Sequence, residues 1–277
     1  MTPRPSRHGR VLASVLAAGT LLTSAACSDD NGGDSGGSDA TASPSATESA
    51  GAGNSASPSA TAALTQALAQ SALITEADLE DAWTQAKDAG GWKDSLLIGK
   101  VDAAQFLTGK TAVADCQRLL DGLYGDDLLG KPSGASAVVG FTEGDSRLRQ
   151  QVAAYAKGDL DKSMTWLKNL PDTCDQFTVT GSGGDRSVEV VATSLPKAAD
   201  SAQALTVTVR GSTDGTPVTL TLDVAASRVG SDAVTVTNGG LDGADHDSTA
   251  DAVVFGTQHL KDVLAGKSPA PTPSQIE

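Results

Sequence analysis

The sequence predicts an α+β domain in which an antiparallel sheet of about five to seven strands is packed by helices on one face. From residue 177 onward, apolar and polar residues alternate, as in the run 218–224, and this period of two is typical of half-buried strands. Residues 64–122 and the last stretch before residue 266 space their apolar residues three or four apart, which favours helices.

The segment ITEADLEDAWTQA, residues 74–86, predicts the leading helix. Thr75 and Asp78 have the spacing of a capping box, in which each side chain satisfies a backbone amide at a helix start. Leu79 and Trp83 lie four residues apart and therefore share one face of a helix. We expect a helix that buries both side chains.

The segment TAVADCQRLLDGLYG, residues 111–125, predicts a second helix. Val113, Cys116 and Leu120 form one apolar stripe, so Cys116 is expected to face inward. The preceding segment GGWKDSLLIGK predicts a loop with a short extended piece.

The middle of the domain reads as a hairpin followed by a helix. Residues 136–156 offer two extended runs around the turn signal Glu143-Gly144-Asp145. Residues 159–170 then place their apolar side chains on one helical face, and we expect this helix to end at Pro171.

Two further hairpins and a closing helix are predicted in the strand-rich part. GSGGD at 181–185 and Asp214-Gly215 each lie between two alternating runs, where tight turns are expected. The chain closes with STADAVVFGTQHLKDVLAG, residues 248–266, whose apolar spacing suits packing on the sheet.

Residues 1–26 have the three parts of an export signal. A basic start with Arg4, Arg7 and Arg10 precedes an apolar stretch, 11–22, and then small residues. The apolar stretch is about a dozen residues long, which is too short for the roughly 20 residues that a bilayer-spanning helix needs. We therefore expect a cleaved signal rather than a transmembrane anchor.

The pattern LTSAAC, residues 22–27, resembles the lipobox of bacterial lipoproteins, with Ser24 where that motif usually has leucine. The resemblance implies that the signal is cut before Cys27 and that its thiol carries a diacylglyceryl group. Several acyl chains hold a protein stably on a membrane, because each buried CH₂ contributes about 0.8 kcal/mol. The alternative is ordinary signal cleavage that leaves Cys27 as a free thiol.

The three cysteines of the chain are Cys27, Cys116 and Cys174. Lipidation of Cys27 accounts for the odd one and leaves Cys116 and Cys174 to form a disulfide in an oxidising compartment. The alternative is a metal site built on both thiols, for which neither cysteine has further ligands nearby in the sequence.

Charge and composition divide the chain and exclude one class of partner. With 34 acidic and 20 basic residues, the formal net charge is −14, which disfavours nucleic acid because phosphate binding needs clustered cations. Residues 27–63 are small, polar and acidic, which predicts a flexible tether, and residues 266–277 predict a disordered, polyproline-like tail. A single folded domain, 64–265, remains between them.

The densest polar cluster is LDGADHDST, residues 241–249, which holds three aspartates around His246. A histidine flanked by carboxylates is typical of a metal ligand or a general base, but Asp and Ser are also the preferred residues of a helix start. We favour the helix start, and we interpret His259 as a structural histidine on the apolar face of the last helix. We therefore expect no catalytic residue, no metal site and no cofactor.

The three tryptophans, Trp83, Trp92 and Trp166, are either core residues or the lining of a ligand cleft. Trp92 lies between a glycine and a lysine and is the one we expect at a cleft.

Several segments in order resemble one known family. They are LITEADLEDAW, LPDTCDQFTV, VEVVATSLP and DGTPVTLTLDVAASRVGSDAVTVTNGGL. Over about residues 70–264 the chain resembles the extracellular sensor domain of the mycobacterial serine/threonine kinase PknH, a domain that also occurs alone in actinobacterial lipoproteins. The resemblance implies a sheet with helices around a cleft, disulfide support and a ligand that is not identified. The kinase relative carries more cysteines, so only one bridge carries over, and the glycine-rich loop, HRD and DFG motifs of a kinase domain are absent from the sequence.

These observations predict a non-enzymatic lipoprotein, anchored on the extracytoplasmic face of the cell membrane, whose domain binds a small molecule, another envelope ligand or a protein partner. Two alternatives stay open at this point. One is an envelope hydrolase that uses His246 or His259, and the other is a carrier of lipids, which predicts a large apolar cavity.

Overall fold

The computed structural model describes residues 63–79, 82–195 and 201–270. The predicted signal, Cys27 and all but the last residue of the predicted tether lie outside these residues, as do positions 271–277 of the predicted tail.

The described residues form ten strands and five α-helices. The strands are β1 Thr84–Ala86, β2 Leu97–Ile98, β3 Val101–Asp102, β4 Ser136–Glu143, β5 Ser146–Ala154, β6 Gln176–Gly181, β7 Gly184–Thr193, β8 Ser201–Thr213, β9 Thr216–Val229 and β10 Asp232–Gly240. The helices are α1 Gln66–Ser71, α2 Ala103–Leu107, α3 Ala114–Gly122, α4 Lys157–Thr173 and α5 His246–Leu264.

Eight of these strands form one antiparallel sheet, in the order β1-β4-β5-β10-β9-β8-β7-β6, while β2 and β3 form a separate small hairpin. The α+β class is confirmed, and the sheet is larger than the five to seven strands predicted. Helix α4 carries the chain from β5 in the middle of the sheet to β6 at its far edge. The strands β6 to β10 then return as a meander, and β10 completes the sheet by pairing with β5.

Helices cover both faces of the sheet, so the prediction of helices on one face was wrong. One hydrophobic core joins α2, α3 and α4 to what we term the α4 face, and a second joins α1 and α5 to the opposite α5 face. Both faces of the central strands are buried, as the adjacent residues Ala225 and Ala226 of β9 show, since each belongs to a different core. The α5 face is covered only in part: Thr178, Ser187 and Arg210 on β6, β7 and β8 are exposed.

Helix α5 approaches the sheet closely because small residues face it. A Cβ atom at Gly256 would collide with the amide group of Gln150 on β5. The buried Gln150 side chain donates to the carbonyl of Ala252 at 3.0 Å and accepts from the amide of Ile74, also at 3.0 Å. One side chain therefore joins the sheet, α5 and the N-terminal segment, and it satisfies backbone groups that would otherwise be buried without partners.

The prediction of a leading helix over residues 74–86 was also wrong. The capping box of Thr75 and Asp78 is present, but it starts only a short 3₁₀ turn, Glu76–Asp78, and the segment ends in strand β1. Leu79 and Trp83 are buried in the core of the α5 face as expected, so burial was predicted correctly and the helix was not. Residues 84–86 instead pair with β4 at the edge of the sheet. A short helix that is not packed on other elements is only marginally stable, so the pairing with β4 is favoured.

The predicted turns and the predicted disulfide are present in the structure. The hairpin turns at 143–145, 181–185 and 214–215 all join paired strands, and the disulfide between Cys116 and Cys174 links the segment of α3 to the end of α4. Helix α4 runs two residues beyond Pro171, the position where we expected it to end. No helix among the described residues is long and apolar enough to cross a membrane.

Candidate functional site

A cavity of about 330 Å³ opens on the α4 side of the domain, between the loop that carries Trp92, helices α2 and α3, and the end of β6. Its apolar lining includes Trp92, Leu107, Leu120, Leu123 and Tyr124, and its polar lining includes Lys93, Thr108, Lys110, Asp121 and Thr180. We call it the Trp92 cleft. It has the composition of small-molecule sites, which combine apolar walls with a few polar groups.

The aromatic part of the cleft is held rigidly. The Trp92 ring lies over β4, where a Cβ atom at Gly140 would come within 2.7 Å of it, and its Nε1 donates to a carboxylate oxygen of Asp88 at 3.3 Å. Tyr124 packs edge-on against Trp92, with ring centroids 6.0 Å apart, and its hydroxyl donates to the carbonyl of Arg147 at 3.1 Å. Burial raises the pKa of Tyr124 far above its usual range, so the phenol stays neutral.

The opposite wall is a backbone bridge between the segment after α2 and the edge strand. The amide of Lys110 donates to the carbonyl of Thr180 at 2.8 Å, and the amide of Thr180 donates back at 2.9 Å. Gly109 permits this approach, because a Cβ atom there would lie 2.9 Å from the same Thr180 carbonyl oxygen. The bridge thereby fixes Lys110 at the rim of the cleft.

Arg186 on β7 holds this wall on the sheet. Its guanidinium is buried, with 4% of the residue exposed, and donates to the carbonyls of Phe106 at 2.6 Å and Thr108 at 2.8 Å. Burial lowers the pKa of Arg186, against a smaller opposing effect of the neighbouring Asp185. The position of the cleft wall therefore depends on a side chain that does not line the cleft.

The charged groups of the cleft are at its rim. Lys93 contacts Asp127 through a long 3.5 Å ion pair, in which both side chains are about half exposed. Asp121 accepts from the side-chain amide of Gln117 at 2.9 Å. Lys110 forms no ion pair with any residue that the structure describes.

The other two tryptophans lie elsewhere. Trp83 belongs to the core of the α5 face, and its Nε1 donates to Ser248 Oγ at 3.1 Å. Trp166 on α4 is half-buried beneath the guanidinium of Arg118, 3.8 Å from the ring centroid, in a shallow depression between α3 and α4. Of the three tryptophans, Trp92 is thus the one that lines the cleft between the helices and β6.

The cluster around His246 is a helix start, as favoured from the sequence, but one of its contacts was not foreseen. Asp245 caps α5 by accepting from the amides of Asp247 and Ser248. His246 Nδ1 is hydrogen-bonded to the carboxylate of Asp223, a residue of β9 that is 1% exposed. Because a carboxylate accepts, the imidazole donates from Nδ1, and Nε2 belongs to a side chain that is 62% exposed.

Asp223 is accommodated in the sheet by a hydroxyl donor. Thr206 of β8 donates to it at 2.8 Å, so the buried carboxylate has a partner besides the imidazole. The hydroxyl of Thr249 lies 3.3 Å from the carboxylate, but it donates to the carbonyl of Asp245 at 2.8 Å. The sequence carried no signal for this group, because Asp223 is in phase with Thr219 and Thr221 on the face that the alternation predicts to be exposed. His259 is buried, with Nε2 3.6 Å from Asp78, in agreement with a structural role.

The described residues contain no group of three or more His, Cys, Asp or Glu side chains that could hold a metal ion. Comparison with protein-family models and with curated proteins finds no match. Among solved structures, the chain is similar to the crystal structure of the extracellular domain of PknH from Mycobacterium tuberculosis, with a TM-score of 0.46 and 12% identity, over 73% of this chain and 99% of that one. This is a weak resemblance at the level of the fold.

Proposed function

We propose that the protein is a membrane-anchored, extracytoplasmic lipoprotein whose sensor-like domain is not an enzyme and binds a small ligand in the Trp92 cleft. The observation that carries the proposal is the cleft itself, with a rigid aromatic side, an apolar floor and polar groups at the rim. Anchoring is supported by the lipobox-like sequence at 22–27, and the sensor role by the sequence segments that resemble the PknH family.

The size of the cleft favours a small molecule over a membrane lipid. Ligand pockets span about 300–1,000 Å³, and a cavity of about 330 Å³ lies at the lower end of that range. A carrier of two-chain lipids needs a larger apolar space than this cleft offers.

The ligand function is tested by filling the cleft. Ala104 lines the cavity and is only partly buried, so Ala104→Phe places a ring in the ligand space without crowding the centre of the core. Thr165→Phe, in the shallow depression between α3 and α4, is the matched control. Native mass spectrometry of the full chain extracted from membranes should show a retained small molecule in the wild type and the control, and its loss in Ala104→Phe. Retention by Ala104→Phe would refute binding at the cleft.

The anchor is tested independently. Mass spectrometry of the N-terminal peptide should find an acylated Cys27 as the first residue, and Cys27→Ser should release the protein from the membrane fraction. An unmodified Cys27, or cleavage at another bond, contradicts the anchor and leaves the ligand proposal untouched.

The contact between Asp223 and His246 supports a hydrolase as the second candidate function. In such a reaction, Nε2 takes a proton from water as the water oxygen adds to an ester carbonyl, and then passes that proton to the leaving alkoxide. The test is the hydrolysis rate of a neutral ester by the full chain: His246→Gln and Asp223→Asn should each lower it at least tenfold if this candidate is correct. Equal rates in the wild type and both variants reject it.

A further inference from the structure

The lining of the Trp92 cleft is specific enough to define a class of ligand, on the condition that the proposed function is correct. Two lysines, Lys93 and Lys110, and one aspartate, Asp121, line it. The chain as a whole has the opposite balance, with 34 acidic and 20 basic residues. Among the residues that line the cleft, cations therefore outnumber acids by two to one, although the protein as a whole is acidic.

Lys110 is available to a ligand. Its backbone is fixed by the bridge to Thr180, while its side chain is exposed and forms no ion pair with any described residue. An ammonium group held at the rim of an apolar cavity keeps its hydrogen-bonding capacity for an incoming acceptor.

Lys93 can be recruited at low cost. Its 3.5 Å contact with Asp127 joins two side chains that are 47% and 54% exposed, and exposed pairs of this kind contribute little to stability. An anion in the cleft could replace Asp127 as the partner of Lys93 without leaving that carboxylate buried.

The floor beneath the lysines is apolar. Leu107, Leu120 and Leu123 are each at most 7% exposed, and the Trp92 and Tyr124 rings close the inner end. Such a surface binds hydrocarbon or an aromatic ring through the hydrophobic effect.

We propose that the Trp92 cleft binds an amphipathic anion: a carboxylate, sulfonate or phosphate attached to one ring system or a short hydrocarbon chain. The apolar part lies against Leu107, Leu120 and Trp92, and the anionic group lies at the rim between Lys93 and Lys110. Fatty acids and aromatic acids share this chemistry.

The test uses two fluorescent probes that differ in one group. 8-Anilinonaphthalene-1-sulfonate is an apolar anion, and N-phenyl-1-naphthylamine has the same rings without the sulfonate. The full chain should bind the sulfonate about tenfold more tightly, and added salt should weaken only that binding.

Lysine variants locate the charge effect. Lys110→Gln should weaken binding of the sulfonate about fivefold, and the double variant with Lys93→Gln should weaken it further. In both variants, binding of the neutral probe should change less than about twofold. Lys131→Gln changes the net charge equally at an exposed site outside the cleft lining and should leave both probes unaffected.

The possible outcomes separate the inference from the proposed function. Equal affinity for the two probes, or no effect of Lys110→Gln, overturns the anion preference while the cleft remains a binding site. If Ala104→Phe changes the binding of neither probe, then neither binds in the cleft and the anion proposal fails, while the proposed function is decided by the retained ligand in native mass spectrometry. Because Lys110 is exposed, Lys110→Gln keeps the fold and remains informative even if Ala104→Phe does not fold.

Discussion

Replacement of Arg186 by methionine should destabilise the domain by about 3 kcal/mol, a large effect for a residue outside any ligand site. The guanidinium donates to two backbone carbonyls, those of Phe106 and Thr108. The guanidinium also lies beside Gly181 and the aliphatic stem beside Gly211, and any Cβ atom at either glycine would collide with the side chain. The side chain thus fills a channel that the glycines leave open.

The magnitude follows from two opposing contributions. Each charge-assisted hydrogen bond contributes about 1.5–3 kcal/mol, and both carbonyls would be left without these donors. Against this, a buried cation that forms no ion pair with any described residue, and only a weaker interaction with Asp185, costs desolvation energy, which methionine relieves. The hydrogen bonds outweigh the desolvation because two are lost together, and about 3 kcal/mol remains.

The assay is urea unfolding of the full chain, followed by circular dichroism and extrapolated to water. Arg210→Met on the adjacent strand β8 is the control, because Arg210 is half exposed, pairs only with Glu189, and should contribute less than about 1 kcal/mol. Hydrogen exchange of the Lys110 amide should accelerate in Arg186→Met, since its bond to Thr180 depends on the clamped segment. A loss no larger than that of Arg210→Met would refute the reasoning.

Three further predictions concern stability. The double variant Cys116→Ala with Cys174→Ala should lose about 4 kcal/mol, because the bridge closes a 58-residue separation, and a loss below about 1 kcal/mol in urea unfolding would contradict this. Burial raises the pKa of Asp232 to about 6, so its ionisation destabilises the folded state as pH rises from about 4 through 6. Asp232→Asn should therefore gain up to about 3 kcal/mol relative to the wild type between pH 4 and pH 7.5, whereas a pH-independent difference would argue against it. Gly109→Ala should cost about 1–3 kcal/mol in the same unfolding assay, while Gly90→Ala, with no atom within 4 Å of the added Cβ, should cost less than about 0.5 kcal/mol.

Features set by neighbouring residues could be predicted from the sequence. The turn at Asp214-Gly215 is an example: both residues have positive φ, 51° and 78°, which this residue pair tolerates and most others do not. Period-two alternation likewise located the strands from β6 to β10, because one face of the outer strands is exposed. The inward orientation of Cys116 and its disulfide with Cys174 also followed from local spacing and cysteine number.

Features set by distant contacts could not be predicted. The pairing of β10 with β5 joins segments about 80 residues apart, and it is this pairing that creates central strands buried on both faces. In β10 the residues Thr235 and Thr237 are buried although the alternation suggested an exposed face. The burial of these residues depends on the helices that pack on the sheet. No single segment of the sequence therefore shows whether one face or both faces of the sheet are covered.

The cleft was predictable only in part, for the same reason. Trp92 was selected by residue type and neighbours, whereas Lys110 became a rim residue only through the bridge to Thr180, 70 positions further along the chain. Neither Gly109 nor Arg186 carries a motif, and both matter through contacts that exist only once the sheet has formed.

The two candidate sites depend on opposite faces of the sheet, and this separates the functions that they support. Leu222 and Val224 of β9 point into the core that contains Trp92, while Asp223 between them points towards α5 and His246. A side chain reaches one face only, so a substitution in the Trp92 cleft does not contact the histidine. If Ala104→Phe loses the ligand while the ester hydrolysis rate stays unchanged, binding is therefore assigned to the cleft alone. A hydrolytic activity that survives Ala104→Phe but not His246→Gln would instead assign a second activity to the α5 face, and the protein would then carry both.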